Sequence, residues 1–119
     1  MDGKLYIGID VSKDWLDIAS HDGGQAVGRG LRIANTPAAV AAWSDTLEPA
    51  QIGLVAFEPT GGYERGLRQE LVAAKLPFVR VHPNEVGAFR TRCGVKAKTD
   101  ARDALLLAEF AARELSRRA

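Results

Sequence analysis

The chain contains a single cysteine, Cys93, which excludes an internal disulfide framework and, with no second thiol, a CxxC zinc site. The two histidines, His21 and His82, are isolated and share no ligand spacing, so they are expected as surface or core residues rather than metal ligands. No run of about 20 apolar residues occurs, so no membrane span is expected. The N-terminus has neither the continuous apolar stretch nor the small-residue cleavage site of a secretory signal, and the expected location is the cytoplasm. Internal repeats, low-complexity tracts and linkers are missing too, which leaves one domain over residues 1–119. The hydrophobic fraction of 46% is enough for a real core.

Charge is scarce only in sum. The net charge is +1. Residues 1–58 carry four Lys/Arg against eight Asp/Glu, a net of −4, and residues 59–119 carry twelve against seven, a net of +5. Two ordinary solvated faces would satisfy this split. So would an acidic metal pocket beside a basic surface for a polyanion.

The period of the apolar residues sets the order of elements. Residues 4–10 alternate as a strand, with Leu5, Ile7 and Ile9 on one face and Tyr6, Gly8 and Asp10 on the other. Residues 14–20 form a second strand, and the His21-Asp-Gly-Gly turn leads into a third near 25–34. Strands joined this tightly run antiparallel. Thr36-Pro37 then opens a helix over 37–47, with Val40, Trp43 and Leu47 at helical spacing. Residues 52–58 are apolar on both faces, as a central strand requires. Thr60 is placed to cap a helix over 61–75 with Tyr63, Leu67, Leu71 and Ala74 as its core stripe. A strand at 78–82, a weak helix at 84–93, a break at Gly94 and a final helix capped by Thr99 and running to about 116 complete the order. Trp15, Trp43, Phe57 and Phe78 are expected in the core, and Asp14 and Asp17 are expected to face solvent.

Three antiparallel strands followed by helix-linked strands give an α/β fold with a mixed five-stranded sheet flanked by helices. Right-handed crossovers put strand 52–58 beside strand 4–10 and parallel to it. Asp10 and Glu58 then end neighbouring strands at one rim. A carboxylate finishing an apolar central strand needs a partner, and Pro59 holds Glu58 extended. Asp100 and Asp103 lie one helical turn apart at a helix start, where acids also favour the helix dipole. Alone that pair reads as structural. Together with Asp10 and Glu58 it forms a set of hard oxygen donors suited to Mg²⁺, with Mn²⁺ as a substitute, and two such ions can drive phosphodiester chemistry. Arg90, Arg92, Lys96 and Lys98 flank Gly94 with no apolar period, as a basic loop for a nucleic-acid backbone would. Thr60-Gly-Gly, a helix start that could cradle phosphate, is a weaker signal.

Three ordered segments carry a resemblance. Ile7-Gly-Ile-Asp-Val-Ser-Lys13, Phe57-Glu-Pro-Thr-Gly-Gly-Tyr63 and Lys98-Thr-Asp-Ala-Arg-Asp-Ala104 closely resemble the N-terminal domain of DEDD-type insertion-sequence transposases, recombinases of bacterial mobile elements. The similarity extends over essentially the whole chain and includes Val81-His-Pro83. It implies a ribonuclease H-like, RuvC-like fold and assigns the four acids of the family name to Asp10, Glu58, Asp100 and Asp103. It also implies DNA as the partner, a guide RNA bound in some relatives, and assembly of full-length proteins as homo-oligomers. Family members continue into a C-terminal domain bearing a serine implicated in strand exchange. Nothing here matches that domain, so Ser12, Ser20, Ser44 and Ser116 inherit no nucleophile role, and the chain reads as a catalytic-domain fragment expected to be inactive alone. Three other readings use the same residues. They are a stand-alone Holliday-junction-resolvase-type nuclease, a noncatalytic nucleic-acid-binding assembly module, and an actin- or sugar-kinase-like ATPase suggested by Gly8-Ile-Asp10. The last lacks a second phosphate loop.

Overall fold

The computed structural model describes residues 3–59, 61–93 and 100–117. Its centre is a five-stranded sheet of order β3-β2-β1-β4-β5, built from β1 (Leu5–Val11), β2 (Trp15–His21), β3 (Ala26–Ala34), β4 (Ile52–Phe57) and β5 (Phe78–Arg80). β1, β2 and β3 are antiparallel neighbours, while β4 pairs parallel to β1 and β5 parallel to β4. Four helices flank it: α1 (Pro37–Ser44), α2 (Arg65–Ala73), α3 (Pro83–Cys93) and α4 (Asp100–Arg113).

Alternation along β1 divides the molecule into two cores. Ile7, Ile9 and Val11 pack with Val40, Trp43, Leu67 and Leu71 from α1 and α2. Tyr6 and Ala56 look the other way, onto Val86 and Phe89 of α3 and Leu107, Phe110 and Ala111 of α4. The two helices of this second layer are joined by the Phe89 and Phe110 rings, 5.1 Å apart, and by the Arg92–Glu114 ion pair at 3.1 Å. α1 begins as its sequence dictates: the Thr36 side chain accepts from the Ala39 N–H at 3.2 Å, and Pro37 takes the first turn, where its missing N–H costs nothing.

Several expectations are corrected. α1 ends at Ser44, three residues early, and Leu47 is only half-buried. α2 starts at Arg65 rather than 61, so Tyr63 lies outside the helix and is exposed, while Leu67 and Leu71 carry the stripe. β5 stops at Arg80, and the segment at 84–93 is a full helix with Val86 and Phe89 buried. α4 ends at Arg113 and a short 3-10 turn follows. The expected cap at Thr60, the break at Gly94 and the cap at Thr99 lie outside the described residues. Among the described residues no helix is long and apolar enough to cross a membrane.

His21, at the end of β2, is buried. Its Nδ1 accepts from the Gly23 backbone N–H at 3.0 Å, which leaves the ring proton on Nε2, 3.9 Å from Glu109. Burial pushes the imidazole pKa below its usual value; Glu109 and Asp22 pull it back up, and Arg113 adds to the lowering. The fold therefore prefers neutral His21. That contribution is whole above about pH 6.5 and is lost as the pH falls, because the unfolded chain takes up the proton first. The melting temperature should fall on acidification from about pH 7 to about pH 5.5, and His21→Gln should flatten the fall. An equal fall in the variant would assign the effect elsewhere.

Candidate active site

β1 and β4 are parallel neighbours whose register pairs Ile9 with Phe57. Asp10 and Glu58 each follow that last pair, on neighbouring chain segments whose strands lie about 4.8 Å apart. Alternation carries both onto the face that bears Tyr6 and Ala56, beneath α4. Glu58 lies just beyond the last residue of β4, and Pro59 follows. Gly61 and Gly62, both at positive φ (56° and 88°), then turn the chain away from the rim in a conformation that side chains other than glycine rarely adopt. The exit loops of the two strands are stitched together by one side chain. Asn35 Nδ2 donates to Ser12 O at 2.8 Å, just past β1, and to Tyr63 O at 2.9 Å, past β4.

α4 brings the third acid. It crosses β1 at Gly8, where a Cβ would stand 2.0 Å from Ala104 O and 2.3 Å from Ala108 N. Glycine is required there because the helix backbone rests on the strand backbone. The direction of α4 follows from its neighbours on β2. Ala104 shares a cleft with Asp17, Leu105 one with Ala19, and Glu109 faces His21. α4 thus runs along β2 and against β1. Since Asp17 pairs with Asp10 in the β1–β2 register, the start of α4 lies at the level of Asp10. Asp103 is there, 4% exposed, and accepts from Arg90 Nη2 at 2.8 Å. The Asp100 backbone belongs to the first turn of the same helix; its side chain lies outside the described residues.

Two site features escaped the sequence reading. Asp17, expected in solvent, is buried directly across from Asp10. Like charges opposed in this way repel, and Arg32 offsets the repulsion by gripping Asp17 with Nε at 3.0 Å and Nη2 at 3.1 Å. Arg90, expected in a basic loop, sits in α3 with its guanidinium on Asp103, and its buried Nε has no hydrogen-bond partner. Arg92 pairs instead with Glu114, at the far end of α4, and lies over the Phe89 ring. Lys96 and Lys98 lie outside the described residues.

The donor chemistry, carboxylates on one rim, suits a hard divalent cation. Among the described residues no three His, Cys, Asp or Glu side chains are yet gathered closely enough to hold one. Arg90 supplies positive charge to the Asp103 carboxylate. The residues fit the ion by type and by face, with Arg90 as the group that must share Asp103.

The same chain path occurs in known structures. Thermus thermophilus RuvC, in a structure titled as a complex with Holliday junction substrate, matches with a TM-score of 0.67 at 16% identity, covering 92% of this chain and 92% of that one. A second structure of Thermus thermophilus RuvC matches with a TM-score of 0.65 at 15% identity, covering 91% and 93%. The fold is therefore that of the ribonuclease H-like, RuvC-like class. No curated protein matches the sequence. A family model described as transposase matches residues 7–118, and the chain belongs to that transposase family.

Proposed function

We propose that residues 1–119 form the catalytic domain of a DNA transposase, in which Asp10, Glu58, Asp100 and Asp103 hold Mg²⁺, or Mn²⁺ in its place, and act on phosphodiester bonds. The observation that supports this reading is the register: Asp10 and Glu58 each follow the last paired residues of two parallel neighbours, and α4, seated on Gly8, brings Asp103 towards their level. When bound, the metal would stabilise charge on the phosphoryl oxygens and activate the attacking oxygen. The chain's own residues do the rest. The acids would hold the cation, Asn35 ties together the segments that follow β1 and β4, and Arg32 keeps the buried charge of Asp17 from adding to that of Asp10. Arg92, Lys96 and Lys98 take the strand backbone, and Arg90 joins them when a cation relieves it of Asp103.

Strand exchange also needs a nucleophile and a held target. These belong to a further, serine-bearing domain, so residues 1–119 alone perform no recombination. A guide RNA and a second copy of the chain are the remaining partners in this reading. A second reading, a resolvase-type nuclease acting by itself, is favoured by the end-to-end match with RuvC. Cleavage of a Holliday junction by this chain alone would put it ahead.

Clustered carboxylates repel one another, so a bound cation should stabilise the fold. At a Mg²⁺ or Mn²⁺ concentration of about 100 times Kd, the gain is about 2.7 kcal/mol, or roughly 10 °C for a domain of this size. Asp10→Asn combined with Asp103→Asn should abolish it. An equal shift in the double variant would reject the assignment.

A further inference from the structure

Trp15 was expected in the core, yet it is 48% exposed. It opens β2, and alternation places it on the face of Asp17 and Asp10. In the antiparallel register it stands two residues, roughly 7 Å, beyond Asp10 on the outer side of the rim. Arg32 reaches it from β3, with Cζ 5.8 Å from the ring centroid. The same guanidinium is fixed at its other edge by both carboxylate oxygens of Asp17, while the Arg32 side chain remains 51% exposed. An indole and a guanidinium, two of the best stacking surfaces among side chains, are thus held together beside the acids with their open sides toward solvent.

We propose that Trp15 and Arg32 form a stacking platform for one unpaired DNA base next to the acidic rim. The inference rests on the reading of that rim as a phosphodiester site. Every base offers a π-face, so such a platform selects for an opened strand rather than for sequence. The Arg32 cation adds attraction for the adjoining phosphates. Asp17 is what makes the arrangement rigid: it orients Arg32 through two bonds, so little freedom is lost when a base arrives. A cation–π pair that served only to stabilise the surface would leave strand preference untouched.

The test compares a splayed-arm DNA, with unpaired nucleotides beside a duplex, against a continuous duplex of equal length, in Ca²⁺ so that binding is read without turnover. Trp43, 8% exposed, is the only other tryptophan, so iodide-quenchable emission reports Trp15. Splayed-arm DNA should quench that emission and shield it from iodide, a measurement needing no variant. Trp15→Leu should weaken splayed-arm binding about tenfold and duplex binding less than about twofold, while Trp15→Tyr keeps most of the preference. If DNA binds but Trp15→Leu behaves as wild type on both forms and emission is unchanged, the platform is wrong and the phosphodiester site stands. If neither DNA binds in any divalent metal, the site reading falls and the platform falls with it.

Discussion

Gly8→Ala is expected to lower the melting temperature by about 10 °C and to abolish the response to Mg²⁺. The added methyl would meet Ala104 O at 2.0 Å, Ala108 N at 2.3 Å and Leu107 Cβ at 2.8 Å. Two of these are helix backbone atoms and cannot rotate aside, so relief requires α4 to lift by roughly 1–1.5 Å to reach ordinary contact. Lifting opens the packing of Leu107, Phe110 and Ala111 on Tyr6 and Ala56. Overpacking of this kind costs about 1–3 kcal/mol, and a clash with backbone belongs at the upper end. The loss of unfolded-state freedom on replacing glycine returns only about 0.4–1 kcal/mol, so the clash wins. The functional consequence follows from the same movement, because the helix that lifts is the one carrying Asp103. A melting temperature within about 2 °C of wild type would mean that α4 does not rest on β1 at this point.

Arg90→Ala should be the most informative single truncation near the acids. Asp103 is nearly fully buried, and Arg90 Nη2 donates to it at 2.8 Å. Removing one partner of a buried pair costs about 3–5 kcal/mol. Arg90 is partly open to water, so screening reduces the figure to about 1–3 kcal/mol, roughly 5–10 °C. On the proposed function, a divalent cation at the rim would neutralise the same carboxylate. The gap between variant and wild type should therefore narrow as Mg²⁺ is added, and the variant should show the larger metal-induced shift. Parallel melting curves, with the same gap at every Mg²⁺ concentration, would make the Arg90–Asp103 pair purely structural and separate Asp103 from the metal site.

The parts of this arrangement governed by local periods were legible in the chain. Alternation in Leu5–Val11 separates Ile7 and Ile9 from Gly8 and Asp10, and the tight His21-Asp-Gly-Gly turn forces β2 and β3 to run antiparallel. Crossover handedness then places β4 beside β1, which is enough to bring Asp10 and Glu58 to one rim. What escaped depends on contacts between segments. Asp17 reads as a turn-proximal acid until the register sets it under α4, and the cation that makes its burial tolerable, Arg32, is 15 residues away. Trp15 is apolar and strand-like, yet it stays 48% exposed under the Arg32 guanidinium. Tyr63 fits a helical stripe, but the left-handed pair Gly61-Gly62 delays α2 until Arg65. β1, β2, β4 and α3 together bury Leu106, Leu107, Phe110 and Ala111, leaving Leu105, Ala112 and Leu115 half-covered.

The convergence of acids can be observed rather than inferred. Crystals of residues 1–119 soaked in Mn²⁺ should give an anomalous-scattering peak bounded by Asp10, Glu58, Asp100 and Asp103, with Arg90 turned away from Asp103 or sharing it. An ordered peak bound by other residues, or no peak at these four side chains at a Mn²⁺ concentration that saturates the thermal shift, would contradict the assignment.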